Sequence, residues 1–320
     1  MDTISRAPEG GTFSVQIECL KGFKSALRSW ISAIEDMAEK GYSTTVSGFK
    51  SPDTRLNFLN RYRKLAKGVF CPEVLGIQKG AEQKHEKTNP DVLRVAAAHS
   101  LGGFLLTELL TNDETAERIR ENYDAVVVIN GFMGSKYANI PGRRLLTRLF
   151  PKTPVGTTGI ERIFSSASAE YEPEELPTHA QGLLLDRAGA ALVQKIQDQG
   201  GFSKKLQGMP ILFITGNDDK VCNNKAVQKV AAITGAEVEA FNSVDHYAMG
   251  DKRVRDFITG WCNKLARDKK WEPYVKIQAE QSAHPFNHAA HPETAAQDVN
   301  WSGDIIEEAQ DAYASLACTN

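Results

Sequence analysis

The sequence predicts an α/β protein with a mainly parallel sheet that is covered by helices. Six apolar runs rich in β-forming residues alternate with helical patterns, which is typical of parallel strands joined by helical crossovers. A serine in a turn of small residues separates one of these runs from an apolar helix. A carboxylate and a histidine follow two later runs, and both are predicted to lie at the same edge of the sheet as this serine.

The predicted strands differ in length but share a buried, β-branched or aromatic character. They are Phe13 to Leu20, Tyr42 to Gly48, Val92 to Ala98, Tyr123 to Asn130, Ile211 to Thr215 and Ala236 to Phe241. The clearest helical stripe lies between the first two, from Leu27 to Ala38, and Gly41 ends it. A second stripe runs from Val254 to Leu265. Both stripes are interpreted as core-facing.

Composition and charge restrict the partners. The chain has 320 residues, 41% hydrophobic and 24% charged, with 38 basic against 40 acidic side chains and a net charge of -2. This balance favours small neutral or apolar ligands and gives no electrostatic reason to expect nucleic acid or an anionic membrane. No uncharged run reaches 18 residues and no signal-type stretch opens the chain, so we expect a cytoplasmic protein without stable membrane insertion.

The five cysteines predict neither disulfides nor a metal centre. They are odd in number, widely spaced and without a CxxC pair, so reduced and mostly buried thiols are expected. His284, His288 and His291 lie in a polar stretch without the spacing to an acid that a helical metal site requires. We therefore predict no metal site and no cofactor. The oligomeric state is left open.

Two stretches interrupt the alternation of strands and helices. Residues 131–208 are far longer than one crossover requires, and they are predicted to be a mostly helical cap inserted into a core formed by residues 1–130 and 209–268. His179, in this cap, is expected on its surface. Residues 269–320 are predicted to be a tail with one short helix that Asp304 opens.

The strongest chemical signal is the segment Ala98-His-Ser-Leu-Gly-Gly103. An apolar strand precedes it and an apolar helix follows it, which is the context of a nucleophile elbow. The sharp turn strains the serine backbone, and the small Ala98 and Gly102 leave room for it. Ser100 is the predicted nucleophile. His99 is predicted to point away from it and to serve as a hydrogen-bonded support.

A serine hydroxyl becomes a useful nucleophile when a histidine takes its proton and a carboxylate orients that histidine. The strand at Ile211 leads into Gly216-Asn-Asp-Asp-Lys-Val221, which offers Asp219 as the acid. Asp218 is the less favoured alternative, because Asp219 has the better offset from Gly216. His246 follows the next strand and is the predicted base. The order Ser, Asp, His is that of one particular hydrolase fold.

In these motifs the chain resembles the α/β-hydrolase fold, and within it the monoacylglycerol-lipase and lysophospholipase-like group that includes the serine aminopeptidases. The resemblance covers about residues 12–265. It implies an oxyanion hole formed by the amides of Leu101 and Phe23, although Lys21 stands where the group usually has histidine. The N-terminus leaves little room for the antiparallel strands that usually lead this fold.

The resemblance implies hydrolysis of a carboxylic ester through an acyl-enzyme, with Ser100, Asp219 and His246 as the triad. The expected substrate is a small apolar acyl ester such as a monoacylglycerol or a lysophospholipid. Two alternatives stay open at this stage. The same triad can serve an aminopeptidase or thioesterase, or the fold can be a non-catalytic ligand receptor.

Overall fold

The strands among the described residues form one seven-stranded sheet. The computed structural model describes residues 2–8, 15–22, 30–48, 58–76, 92–136, 143–155 and 177–268. In chain order the strands are β1 (Asp2–Arg6), β2 (Val15–Leu20), β3 (Tyr42–Gly48), β4 (Leu93–His99), β5 (Ala125–Ile129), β6 (Ile211–Gly216) and β7 (Glu237–Phe241). Their spatial order is β1-β3-β2-β4-β5-β6-β7. The six predicted strands are confirmed, with ends that differ by up to two residues.

The sheet is parallel except at its first edge. β1 runs antiparallel to β3, while all other neighbours pair in parallel. The expectation that the N-terminus leaves little room for a leading antiparallel strand is therefore wrong in part, because Asp2–Arg6 forms one. Its five residues are mostly polar, so they lack the apolar pattern by which the other strands are predicted.

Helices cover the sheet on both faces, and the central strands β5 and β6 are buried at every position. In the described residues the helices are α1 (Ile31–Glu39), α2 (Phe58–Phe70), α3 (Leu101–Leu110), α4 (Asp113–Asn122), α5 (Arg143–Leu149), α6 (His179–Gln199), α7 (Asn224–Thr234) and α8 (Lys252–Asp268). None of these helices combines the length and the apolar character that crossing a bilayer requires.

The two predicted stripes form α1 and α8, and they bury Ile34, Met37, Val254 and Ile258 as expected. Gly41 ends the first of these helices with a φ of 87°, in the left-handed region that glycine adopts without a steric cost. Most of the chain's strands and helices belong to one compact unit, Met1–Ala266. Residues 269–320 lie outside the described ranges, and with them the predicted tail helix.

The long connection between β5 and β6 contains α5 and α6. A capping box at Thr178 and Gln181 starts α6, and Gly200 ends it. The helix packs tightly on the segment that leaves β5, because a Cβ at Gly189 would lie 2.5 Å from the nitrogen of Gly134. Residues 137–142 and 156–176 of this connection are outside the described ranges.

A buried ion pair joins α5 to α6. Arg143 and Asp186 are in direct contact, and both side chains are more than nine-tenths buried. Asp186 also accepts hydrogen bonds from the backbone nitrogen of Ser135, at 2.5 Å, and from its hydroxyl, at 3.0 Å. The expectation of a surface histidine at the start of α6 is wrong, because His179 is fully buried.

Candidate active site

Ser100 occupies the sharp turn between β4 and α3. Its φ of 54° and ψ of -121° lie in a region that residues with a Cβ rarely adopt, and such strain costs about 1–3 kcal/mol. The turn is held by hydrogen bonds from Ser100 N to the oxygen of Ile129 and from Phe104 N and Phe132 N to the oxygen of Ser100, each 3.0 Å long. The backbone of Ser100 is therefore held at the carboxyl edge of the sheet.

Two glycines allow the end of β2 to approach this turn. A Cβ at Gly102 would lie 2.4 Å from the oxygen of Leu20, and a Cβ at Gly22 would lie 2.7 Å from Cβ of Ser100. Both distances are far below van der Waals contact. The segment after β2 therefore passes directly beside Ser100.

The predicted oxyanion residues lie on either side of this contact. Leu101 is the first residue of α3, and the first amides of a helix have no acceptor within it. Phe23, the other predicted donor, follows Gly22 and lies outside the described residues. Lys21, in the place of the usual histidine, is only 6% exposed, and its aliphatic chain packs against Gly48.

Asp219 lies in the turn that follows β6 and is fully buried. One carboxylate oxygen, Oδ1, accepts hydrogen bonds from the backbone nitrogens of Val221, at 2.7 Å, and Cys222, at 3.0 Å. The other, Oδ2, lies 3.0 Å from Nδ1 of His246. Asp218 is exposed. Of the two predicted acids, the structure brings Asp219 to the histidine.

The contact between Asp219 and His246 determines which imidazole nitrogen carries a proton. Burial on its own raises the pKa of Asp219, but the charge and hydrogen bond of His246 and the two backbone amides outweigh it, so the net pKa lies below the ordinary value. Asp219 is thus an ionised carboxylate, which can only accept hydrogen bonds. Nδ1 of His246 must therefore carry a proton, which leaves Nε2 as the basic nitrogen.

His246 lies in the loop after β7 and is 8% exposed. This loop crosses the end of β6 at Gly216, where a Cβ would lie 2.3 Å from the oxygen of Val244. Only glycine permits that approach. The acid turn and the histidine loop are also joined by a hydrogen bond from Asp218 N to Val244 O at 3.0 Å.

Asn130, directly after β5, connects three parts of the site. Its Nδ2 donates to the oxygens of Asp245, at 2.9 Å, and His246, at 3.0 Å, while its Oδ1 accepts from Gly216 N at 2.8 Å. The residue is fully buried and has a φ of 42°. We did not predict this role from the sequence. The only signal is a polar residue at the end of the apolar run of β5.

His99 supports the same loop, as predicted. Its Nε2 lies 2.7 Å from the oxygen of His246, and since a carbonyl only accepts, that nitrogen carries the proton. Burial, with a smaller contribution from the charge of His246, lowers the pKa of His99 to about 3. The two rings have centroids 4.8 Å apart. A neutral His99 adds no positive charge beside His246.

Cys222 is a second residue that sequence reasoning missed. Its Sγ lies 3.8 Å from Nδ1 of His246 and 3.2 Å from the oxygen of Asn130. Burial raises the pKa of this thiol well above its ordinary value and Asp219 raises it further, while the charge of Lys136 opposes them. The thiol is therefore protonated, and Cys222 lies beside the pair of Asp219 and His246. The other described cysteines, Cys19, Cys71 and Cys262, are buried thiols, as expected.

The sheet order, the strained serine turn after β4 and the acid–histidine pair after β6 and β7 define an α/β-hydrolase fold. Solved structures with this fold are similar to the chain. The chain is similar to a soluble variant of monoglyceride lipase from Saccharomyces cerevisiae, with a TM-score of 0.52 and 13% identity over 83% of this chain and 89% of that one. No known family profile matches the sequence, and no curated protein does.

Two further solved structures have the same fold. One is a monoacylglycerol lipase from Paleococcus ferrophilus, with a TM-score of 0.50 and 14% identity over 83% of this chain and 99% of that one. The other is described with the metagenome-derived lipolytic enzymes LipS and LipT, with a TM-score of 0.50 and 15% identity over 82% and 97%. At these identities the likeness establishes the fold alone.

Proposed function

We propose that the protein is a serine hydrolase that cleaves carboxylic esters, with Ser100 as nucleophile, His246 as base and Asp219 as acid. The observation that carries the proposal is the 3.0 Å contact between Asp219 Oδ2 and His246 Nδ1. At the same edge of the parallel sheet the chain carries a serine whose φ of 54° is typical of a nucleophile elbow. A turn serine without a catalytic role has no need of such strain or of a buried acid–histidine pair.

In the proposed reaction His246 Nε2 takes the proton of Ser100 as the hydroxyl attacks the ester carbonyl. The Asp219 carboxylate stabilises the imidazolium that forms. The imidazolium then protonates the leaving alcohol, and water, activated by the same nitrogen, releases the acyl group from Ser100.

Negative charge develops on the ester carbonyl oxygen during the attack, and hydrogen-bond donors must already be in position to stabilise it. We assign these to the amides of Leu101 and Phe23. Leu101 begins α3, and both the free amide and the positive end of the helix dipole favour an anion there. The close approach of Gly22 to Ser100 supports a role for the residue that follows it.

We further propose that residues 131–208 form a cap on a core of residues 1–130 and 209–268. The support is that α5 and α6 lie within a single connection between adjacent parallel strands. Such a cap favours a small apolar acyl ester, for which a monoacylglycerol or a lysophospholipid is our candidate. The sequence resemblance to the monoacylglycerol-lipase group points the same way.

The proposal is tested with a substrate panel on the wild-type protein and Ser100→Ala. We expect p-nitrophenyl esters of medium chain length to be hydrolysed by the wild type and not by the variant. Aminoacyl p-nitroanilides and acyl thioesters test the aminopeptidase and thioesterase alternatives with the same two proteins. If the folded wild type turns over none of these, the proposed function is wrong and a non-catalytic receptor is the better account.

A further inference from the structure

Three potential metal ligands converge inside the proposed triad. Asp219, Cys222 and His246 each offer one ligand atom, these atoms lie within 4.8 Å of one another, and all three residues are buried. Carboxylate, thiolate and imidazole are the ligand types that Zn²⁺ takes in proteins. The proposed ester hydrolysis needs only two of the three residues, so the thiol is without a catalytic role.

The spacing of the ligand atoms fits a tetrahedral ion. Bonds of about 2.0–2.3 Å at the tetrahedral angle separate nitrogen and oxygen ligands by about 3.3 Å, and nitrogen and sulfur ligands by about 3.6 Å. The corresponding distances here are 3.0 Å, from His246 Nδ1 to Asp219 Oδ2, and 3.8 Å, from His246 Nδ1 to Cys222 Sγ. The third pair, Asp219 and Cys222, has its ligand atoms within 4.8 Å of each other, so these two side chains would approach each other by up to about 1.3 Å to reach the tetrahedral O–S separation of about 3.5 Å.

We propose that Asp219, Cys222 and His246 form an inhibitory binding site for Zn²⁺ or a similar thiophilic divalent cation. The two positive charges of the ion would be balanced by one carboxylate and one thiolate, and Lys136, which contacts the backbone oxygen of Asp219, is a further cation beside the site. The inhibitory effect rests on the proposed function, whereas the binding itself does not.

The chemistry of binding explains the inhibition. The Cys222 thiol loses its proton to solvent as sulfur bonds the ion, because coordination favours the thiolate. Nδ1 of His246 also bonds the ion, so the proton of the neutral imidazole moves to Nε2. One proton is released per ion. With Nε2 protonated and Asp219 engaged by the metal, His246 can no longer accept the proton of Ser100.

An open polar cleft borders the chain segments that carry two of the ligands. It has a volume of 810 Å³, and its walls include Asp218 and Lys220 on either side of Asp219 and Asp245 and Tyr247 on either side of His246. Solvent therefore reaches the immediate sequence neighbours of these two ligands.

Binding is tested with Co²⁺ as a spectroscopic probe on the full chain, independently of activity. We expect one equivalent to produce an absorption band from thiolate-to-metal charge transfer, and Zn²⁺ to displace it. Histidines of the tail cannot give such a band. Cys222→Ser should lose the band, and Cys262→Ser, which removes another buried thiol, should keep it. A band that is missing from the wild type, or one that survives in Cys222→Ser, would overturn the proposal.

Inhibition is measured as the rate of labelling by a fluorophosphonate, with each variant compared to its own metal-free rate. Zn²⁺ should suppress labelling of the wild type and of Cys262→Ser, EDTA should restore it, and Cys222→Ser should need at least about tenfold more Zn²⁺. Because one proton is released, the apparent affinity should rise about tenfold per pH unit. If metal-free protein is not labelled at all, the proposed function fails while the Co²⁺ result still decides the site.

Discussion

The side-chain amide of Asn130 donates hydrogen bonds to the carbonyl oxygens of both Asp245 and His246, at 2.9 and 3.0 Å. The same side chain accepts a bond from Gly216 N at 2.8 Å. One buried residue at the end of β5 therefore holds the histidine loop to the end of β6. The position of the proposed base depends on a residue that takes no part in proton transfer.

We expect Asn130→Asp to lower the rate of ester hydrolysis by about 10–100-fold, with KM changed much less. The carboxylate cannot donate, so two carbonyl oxygens lose a partner and face a negative charge. Asn112→Asp is the matched control. It makes the same change at an exposed helix cap whose side-chain oxygen keeps accepting from Thr115 N. Equal rates for Asn130→Asp and the wild type would contradict a positioning role.

Gly216→Ala should impair both folding and catalysis. The added Cβ would lie 2.3 Å from the oxygen of Val244, so the histidine loop must move away from Asp219. We expect a loss of stability of about 1–3 kcal/mol and a rate at least tenfold lower, measured by urea unfolding and ester hydrolysis. At Gly250, in the same loop, an added Cβ would have no atom within 4 Å. Gly250→Ala should therefore retain the stability and the rate of the wild type. Similar behaviour of the two variants would show that the close approach is unimportant.

His99 makes stability depend on pH in a specific window. Its pKa is lowered from 6.5 to about 3 by burial, so between these values the unfolded chain binds one more proton than the folded protein. Stability from this group is therefore complete above pH 6.5 and falls by up to about 1.4 kcal/mol per pH unit below it. His99→Gln lacks the titrating group. Urea unfolding at several pH values from 7 to 4.5 should show a shallower decline for the variant, and parallel declines would exclude this account.

The buried pair of Arg143 and Asp186 should respond asymmetrically to mutation. Asp186→Ala leaves the guanidinium buried without its counter-charge and also removes both bonds to Ser135, so we expect a loss of about 3–5 kcal/mol. Arg143→Met should cost less, because Ser135 still satisfies the carboxylate. Thermal and urea unfolding of the two variants measure the difference. A larger loss for Arg143→Met would mean that the bonds to Ser135 contribute little.

The sequence predicts much of this fold because its strands carry local, apolar patterns and its elbow and acid turn carry glycine at positions of close approach. β1 is not predicted because Asp2–Arg6 is short and mostly polar. The hydrogen bonds of Asn130 and the contact of the Cys222 thiol with His246 depend on which loops meet at the edge of the sheet. No local sequence pattern encodes the meeting of these loops. The burial of His179 likewise follows from the packing of α6 and not from its polar neighbours.

The most direct test of the proposed triad is fluorophosphonate labelling with peptide mapping on the wild type, Ser100→Ala and His246→Ala, each checked for folding by circular dichroism. The account predicts a single labelled peptide that contains Ser100, no label on Ser100→Ala, and labelling of His246→Ala slowed by at least about 10³-fold. Label on a different residue, or none on folded wild-type protein, would contradict an activated serine at this position.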